Sequence, residues 1–363
     1  MKIKNLILIT LSIALLTGCK KANDPESPKP EGPKEEPESS KPDEPKEEIP
    51  ENVYAAGVKL ASNGTKSVAT FWKNGIPTYL TDSTYFSKAS AIFVSGSDVY
   101  VTGYATNGNA LVAKIWKNAI SSDLTDGKST AEANSVYVSG SDVYVAGYEN
   151  AGGPGTASLA KLWKNGVATN LTDGKRDAVA NSVYVSGPDV YVAGYESEGG
   201  PGTRPMAKIW KNGVAVTLSE PTQFAVASSV AVQGGDVYVA GIDMKKGNYV
   251  AILWKNGKPT ILSEDGRADA VYVSGPDVYV TGSEINGSST VAKVWKNGIA
   301  TNLTDGKNSG IAKSIFVSGK DVYVGGSELY YPTHTSAKVW KNGVVTDYPV
   351  GSRYAEVNSI FVK

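Results

Sequence analysis

The stretch LAKLWKNGVATNLTDGK, residues 159–175, carries one of the chain's seven tryptophans, and the other six sit in near-copies of the same phrase. They fall at 72, 116, 163, 210, 254, 295 and 340, at spacings of 44, 47, 47, 44, 41 and 45 residues. Self-similarity at that period marks a propeller or a solenoid.

Working outward, the unit 134–173 reads NSVYVSG, SDVYVAGYE, a variable stretch, LAKLWKNG and VATNLTD. Four short β-branched and aromatic runs lie between turn residues and are predicted as strands a, b, c and d. Helical periodicity is absent throughout residues 52–363. The c–d turn is Asn-Gly in six units, a two-residue hairpin signal because both central positions need positive φ. The seventh unit has Asn118-Ala119, and Ala in that conformation is disfavoured by about 1 kcal/mol, so strain or a different turn type is expected there.

Seven examples of each strand are found only if the chain ends are joined. The repeats open on a b strand, NVYAAG at 52–57, and close on an a strand, NSIFV at 358–362. That split is pointless in an open solenoid and natural in a ring, where the last strand completes the first blade. The fold class expected is therefore all-β: a seven-bladed β-propeller of four-stranded blades, closed by the C-terminal strand joining the N-terminal blade. The order of the unit, an apolar strand ending in glycine (DVYVAG), a variable loop and a strand ending near Trp, resembles the kelch repeat over all seven units. Kelch units usually carry a glycine pair after strand b, which only Gly325-Gly326 supplies here.

A feature present in all seven copies meets seven equivalent surroundings. Trp on strand c and Tyr on strand b (54, 100, 144, 191, 238, 279, 323) are accordingly read as filling between blades, with sugar stacking as the alternative.

The chain ahead of the repeats has another character. MKIKN followed by LILITLSIALL is a secretory signal too short to span a bilayer. Leu16-Thr17-Gly18-Cys19 looks like a bacterial lipobox, a resemblance that implies a signal peptide over 1–18, cleavage before Cys19 and lipid on its thiol. Cys19 is the only cysteine, so no internal disulfide can form. Lys20 rather than Asp follows it, which favours the outer membrane, facing the periplasm or the cell surface. Residues 20–50 contain eight prolines, ten acids and six lysines, with Ile49 the sole large apolar residue. Such a composition cannot bury enough surface to fold, so 19–51 is expected to be a lipidated stalk extending at roughly 3 Å per residue. The whole chain resembles the repeat-propeller lipoproteins of Bacteroidota.

Residues 52–363 keep 28 basic and 25 acidic residues, which excludes an electrostatic case for nucleic acid. In this strand order the a–b and c–d turns share one face, and the b–c and d–a loops share the other. On the first, the lysines that follow each Trp are neutralised by Asp98, Asp142, Asp189, Asp236, Asp277 and Asp321. Acids at the outer edge (Asp82, Asp126, Asp173, Glu220, Glu264, Asp305) are expected to cap turns or discourage edge pairing, because no unit offers the close oxygen ligands calcium requires. No metal and no cofactor are expected.

The second face varies. All four arginines of the chain are assigned to it, Arg176, Arg267 and Arg353 in d–a loops and Arg204 in a b–c loop, where their planar forks suit carboxylates. Tyr85, Phe86, Tyr330, Tyr331 and the only histidine, His334, join them as candidates for a ligand site, with 328–337 as the richest loop. ENAGGPGTAS and ESEGGPGTRPM are read as flaps over adjacent blades. The residues expected just before each innermost strand, among them Asn134, Asn181, Asn358, Asp269 and Lys313, should ring the central mouth, the last two as a salt bridge or a catalytic dyad. With no nucleophile elbow, phosphate-cradling loop or catalytic residue recognisable, the expected function is a non-catalytic, monomeric binding or scaffold propeller for a glycan or protein partner. The alternative is an enzyme, a lyase or sialidase-like hydrolase, acting on acidic glycans.

Overall fold

A computed structural model describes residues 51–363, apart from 62–63, 153–155, 201, 221–223, 246 and 349–352. The leader, Cys19 and the stalk to Pro50 lie outside the described residues. Each repeat forms one antiparallel four-stranded sheet in the order a, b, c, d. Blade three is representative: Ala131–Ser139, Asp142–Asn150, Ser158–Lys164 and Val167–Asn170. Blades two, four, five, six and seven span 87–123, 178–217, 225–263, 266–302 and 309–348. In blade one, Ala355–Val362 is strand a, paired antiparallel to strand b, Val53–Leu60. The C-terminal strand thus closes a seven-bladed all-β ring, as the permuted repeat requires.

Between successive blades lies one core cluster, and each is built the same way. Trp116 of blade two meets Tyr54, Ala56 and Ala69 of blade one, and Trp163 of blade three meets Tyr100 and Ala113 of blade two. The pattern returns at the seam, where Trp72 of blade one meets Tyr323, Ala337 and Val339 of blade seven. All seven indoles are at most 1% exposed. A large flat ring opposite alanines fills the wedge that twisted sheets leave open. The recurrent Trp is therefore inter-blade filling.

The c–d turn keeps one geometry throughout. Asn in the first position has φ of 50–52° in every blade, and Gly follows at 78–83° in six. Ala119 takes φ 66° at the seventh, so the turn type is retained and the strain accepted. The asparagine also locks the corner, since its Oδ1 accepts from the N–H of the first valine of strand b, as at Val143–Asn165 (2.9 Å).

Strand a begins earlier than the repeat alone implies. In blade three it starts at Ala131, not Asn134, and the residues expected to precede the strand lie inside it. Ser90, Asn134, Asn181, Ser228, Asp269, Lys313 and Asn358 are each the unpaired residue of a β-bulge in the a–b ladder. This explains the glycine of DVYVAG: a Cβ on Gly147 would lie 2.0 Å from the carbonyl oxygen of Glu132, and the other blades repeat the contact. Only glycine allows the bulged backbone so close.

Candidate functional site

The two faces differ as their sequences do. On the a–b and c–d side, the lysine after each Trp lies over the strand-b tyrosine, as Lys164 does 5.2 Å from the Tyr144 centroid. In six blades it also pairs with the a–b turn aspartate at 2.6–2.8 Å. Lys and Asn hydrogen bonds hold those six carboxyls below the usual carboxylate range. Blade one has Asn52 in place of Asp, and Lys73 lies over Tyr54 at 5.5 Å. At the outer edge, Asp82, Asp126, Asp173 and Asp305 each accept from a backbone N–H two residues on, at 2.9–3.1 Å, and so cap their turns.

The b–c and d–a side gathers candidate residues into two groups. The segment 328–337 is mostly strand rather than loop: Tyr330 pairs with His334, and only Tyr331, Pro332 and Thr333 form the tip. The stretch lengthens both strands because cross-strand partners continue to match up to the tip. Tyr330 and His334 stack at 4.7 Å and 8°, and Tyr331 stands 87% exposed beyond them. Beneath, the Tyr330 hydroxyl donates to Glu328 (2.7 Å) and accepts from Lys338 Nζ (2.8 Å). Burial works against the Lys338 charge, yet Asp347 and the Tyr330 hydroxyl hold its pKa above the ordinary lysine value. Arg353 adjoins the hairpin, its carbonyl accepting from the N–H of Thr335 at 3.0 Å.

The second group centres on Asp177. Its Oδ1 accepts from the Ser158 N–H at the base of one glycine-rich flap, and its Oδ2 accepts from the Gly202 N–H in the next. One carboxylate joins the flaps of blades three and four, with Arg176 beside it in sequence and Arg204 in the second flap. Tyr85 and Phe86 lie half-exposed in another part of this face, Phe86 under Lys66 at 4.4 Å.

Arg267 departs from expectation. It belongs to strand a of blade six, and its guanidinium binds Asp269 two residues on, at 2.8 Å from Nε and 2.5 Å from an Nη. Alternation along a strand puts i and i+2 on one face, which overrides any loop assignment. The expected Asp269–Lys313 pair is replaced: Lys313 binds Glu356 (2.8 Å) and Asn358 (3.0 Å) instead. The Asp269 carboxyl is largely buried, its Oδ2 has no hydrogen-bond partner among the described residues, and burial raises its pKa despite Arg267. Asn134, Asn181 and Asn358 are committed to blade junctions, their amides donating to the carbonyls of Ala180, Ala227 and Ala89 at 2.9–3.0 Å.

Sequence reasoning passed over one feature. Further along strand a, residues 93, 137, 184, 231, 272, 316 and 361 read Phe, Tyr, Tyr, Ala, Tyr, Phe, Phe and meet around the axis. Aligning the seven repeats column by column would have exposed the single Ala. It was hidden because alternating apolar residues read simply as core.

No protein-family model matches the chain, and no curated protein matches it. Among solved structures the fold is similar to the orthorhombic crystal form of Pyrococcus horikoshii acylaminoacyl peptidase, with a TM-score of 0.50 and 12% identity. The match covers 82% of this chain and 51% of that one, so the chain spans about half the length of the peptidase and shares its fold over that part. The seven closed four-stranded blades themselves define the chain as a β-propeller.

Proposed function

We propose that the chain is a non-catalytic binding propeller, held at the bacterial outer membrane by lipid on Cys19 and a proline-rich stalk, that recognises a glycan or protein partner through its b–c and d–a face. The carrying observation is the contrast between faces: one repeats a neutralised Lys–Asp–Asn corner, while the other presents Tyr331 at 87% exposure beyond a stacked Tyr330–His334 pair, on a hairpin whose Thr335 N–H donates to the Arg353 carbonyl. Exposed aromatic surface suits stacking on a sugar or a partner side chain, and an arginine on the adjoining loop could add a carboxylate contact. The kelch-like order of the unit supports the same reading, since such rings serve as platforms for variable loops.

The purified chain should be applied to an array of acidic glycans and to envelope extracts, with product analysis of anything retained. A retained ligand that is released unchanged, and lost at least tenfold with Tyr331→Ala or Arg353→Ala, supports the proposal. Chemical turnover of the ligand overturns its non-catalytic part, and full retention by both variants overturns the choice of face.

A further inference from the structure

The axial wall near the a–b turns is a collar of six aromatic rings with one member missing. Five neighbouring pairs, Phe93–Tyr137, Tyr137–Tyr184, Tyr272–Phe316, Phe316–Phe361 and Phe361–Phe93, have centroids 4.7–5.1 Å apart and planes inclined at 49–52°. One seventh of a turn is about 51°, so each plane is rotated by one blade step and all stand parallel to the channel axis. Centroids this close leave no room for rings lying side by side in a cylinder wall. The rings therefore point their edges at the axis and turn their faces toward one another, as aromatic pairs favour.

Blade five interrupts the collar. Ala231 occupies the seventh place, and no ring pair joins Tyr184 to Tyr272 across it. The axial cavity that the collar surrounds, of about 340 Å³, is lined by the six rings and, on the side of blades five and six, by Val230, Ala231, Val271 and Val273. The same blade leaves the repeat twice more in its a–b turn, with Gln233 and Gly235 where the a–b turns of blades two, three, four, six and seven keep Ser-Gly and a non-glycine residue before Asp. The Gln233 amide donates to the Gly275 carbonyl of the next blade's turn. Three departures within residues 231–235 set this blade apart from the other six.

We propose that the gap is a binding slot for a small molecule carrying a planar phenolic ring, which enters from the a–b turn face and takes the collar's seventh place. A ring there stacks about 5 Å from both Tyr184 and Tyr272, repeating the spacing of the five existing pairs. The volume lies at the lower end of small-molecule sites. Tyr137, Tyr184 and Tyr272 bring phenolic hydroxyls to the cavity, which can donate to or accept from a ligand hydroxyl. Edges rather than faces meet the axis, which disfavours a cation. No charged side chain lines the cavity, so a ligand carboxylate would lose its water uncompensated.

The test uses p-cresol (4-methylphenol) titrated into the full chain and followed by ligand-observed NMR and calorimetry. Saturable binding at one per chain is expected, with cyclohexylmethanol, similar in size but not planar, binding at least tenfold more weakly. Ala231→Phe completes the collar and should weaken p-cresol at least tenfold while raising the melting temperature by a few degrees. Equal binding of the two probes, absence of saturable p-cresol binding, or an Ala231→Phe protein that melts lower or still binds p-cresol as well as the native chain overturns the proposal. The probe comparison on the native chain decides the matter even if the variant folds poorly. These readouts are independent of partner capture on the opposite face.

Discussion

On the face made by the a–b and c–d turns, one corner recurs around the ring: Asn at positive φ, Lys over Tyr, and Asp holding both in six blades. On the opposite face blade seven raises an aromatic hairpin, blades three and four share flaps tied by Asp177, and the loop from blade one to blade two exposes Tyr85 and Phe86. Repetition marks where residues answer to the ring's own symmetry. Its loss marks where they answer to something else. The repeated part also contains single exceptions, Ala119 and Ala231, and a variable bulge position that is Asp269 in blade six, and each asks whether a departure from the neighbouring blades is tolerated strain or purpose.

The largest effect should come from breaking the symmetry itself. Deleting residues 357–363 removes most of the strand that closes blade one, including buried Val357, Ile360 and Val362, and should lower the melting temperature by more than 10 °C with loss of a single cooperative transition in calorimetry. A truncated chain that melts like the intact one would show that the ring does not depend on closure.

Next in size, Trp163→Ala should cost about 3–5 kcal/mol in urea unfolding, because the cavity forms against the alanines of blade two, which cannot move in to fill it. The same loss is expected at Trp210 or Trp295, and a tryptophan whose removal costs far less would be one not serving as filling.

Asp269→Asn should stabilise by about 1–2 kcal/mol at pH 7, since asparagine at the matching bulges donates to the next blade's carbonyl while Asp269 leaves a buried oxygen unpartnered. The sign of its pH dependence separates the two faces. Asp269 has a raised folded pKa, so the folded state takes up its proton more readily and the penalty fades as pH falls through that value. The six turn aspartates have lowered folded pKa values, and the stability they add above the ordinary carboxylate range is lost as pH falls through it. The advantage of Asp269→Asn over the native chain should therefore shrink on acidification. An advantage that is constant or grows would assign Asp269 another role.

Smallest is Ala119→Gly, which relieves a left-handed alanine and should add about 1 kcal/mol, read as a shift of the urea midpoint without a change in slope. Its value lies in calibrating how much strain the template accepts in a single corner.

Tryptophan spacing, the Asn-Gly hairpins and the split first blade were enough to specify a closed seven-bladed ring. Each is a local or counting constraint: positive φ needs glycine or asparagine, and a permuted repeat needs a partner for its orphan strand. The sequence equally assigned variation to one face, because loop composition is free where strand composition is not. Only the tertiary structure decided which side chains meet across blades. The bulge that places Asn134 within its strand, the glycine opposite it, the pairing of Arg267 with Asp269, and the collar around Ala231 all depend on register and blade angle. Those quantities arise when seven sheets close on one another, and no single repeat contains them.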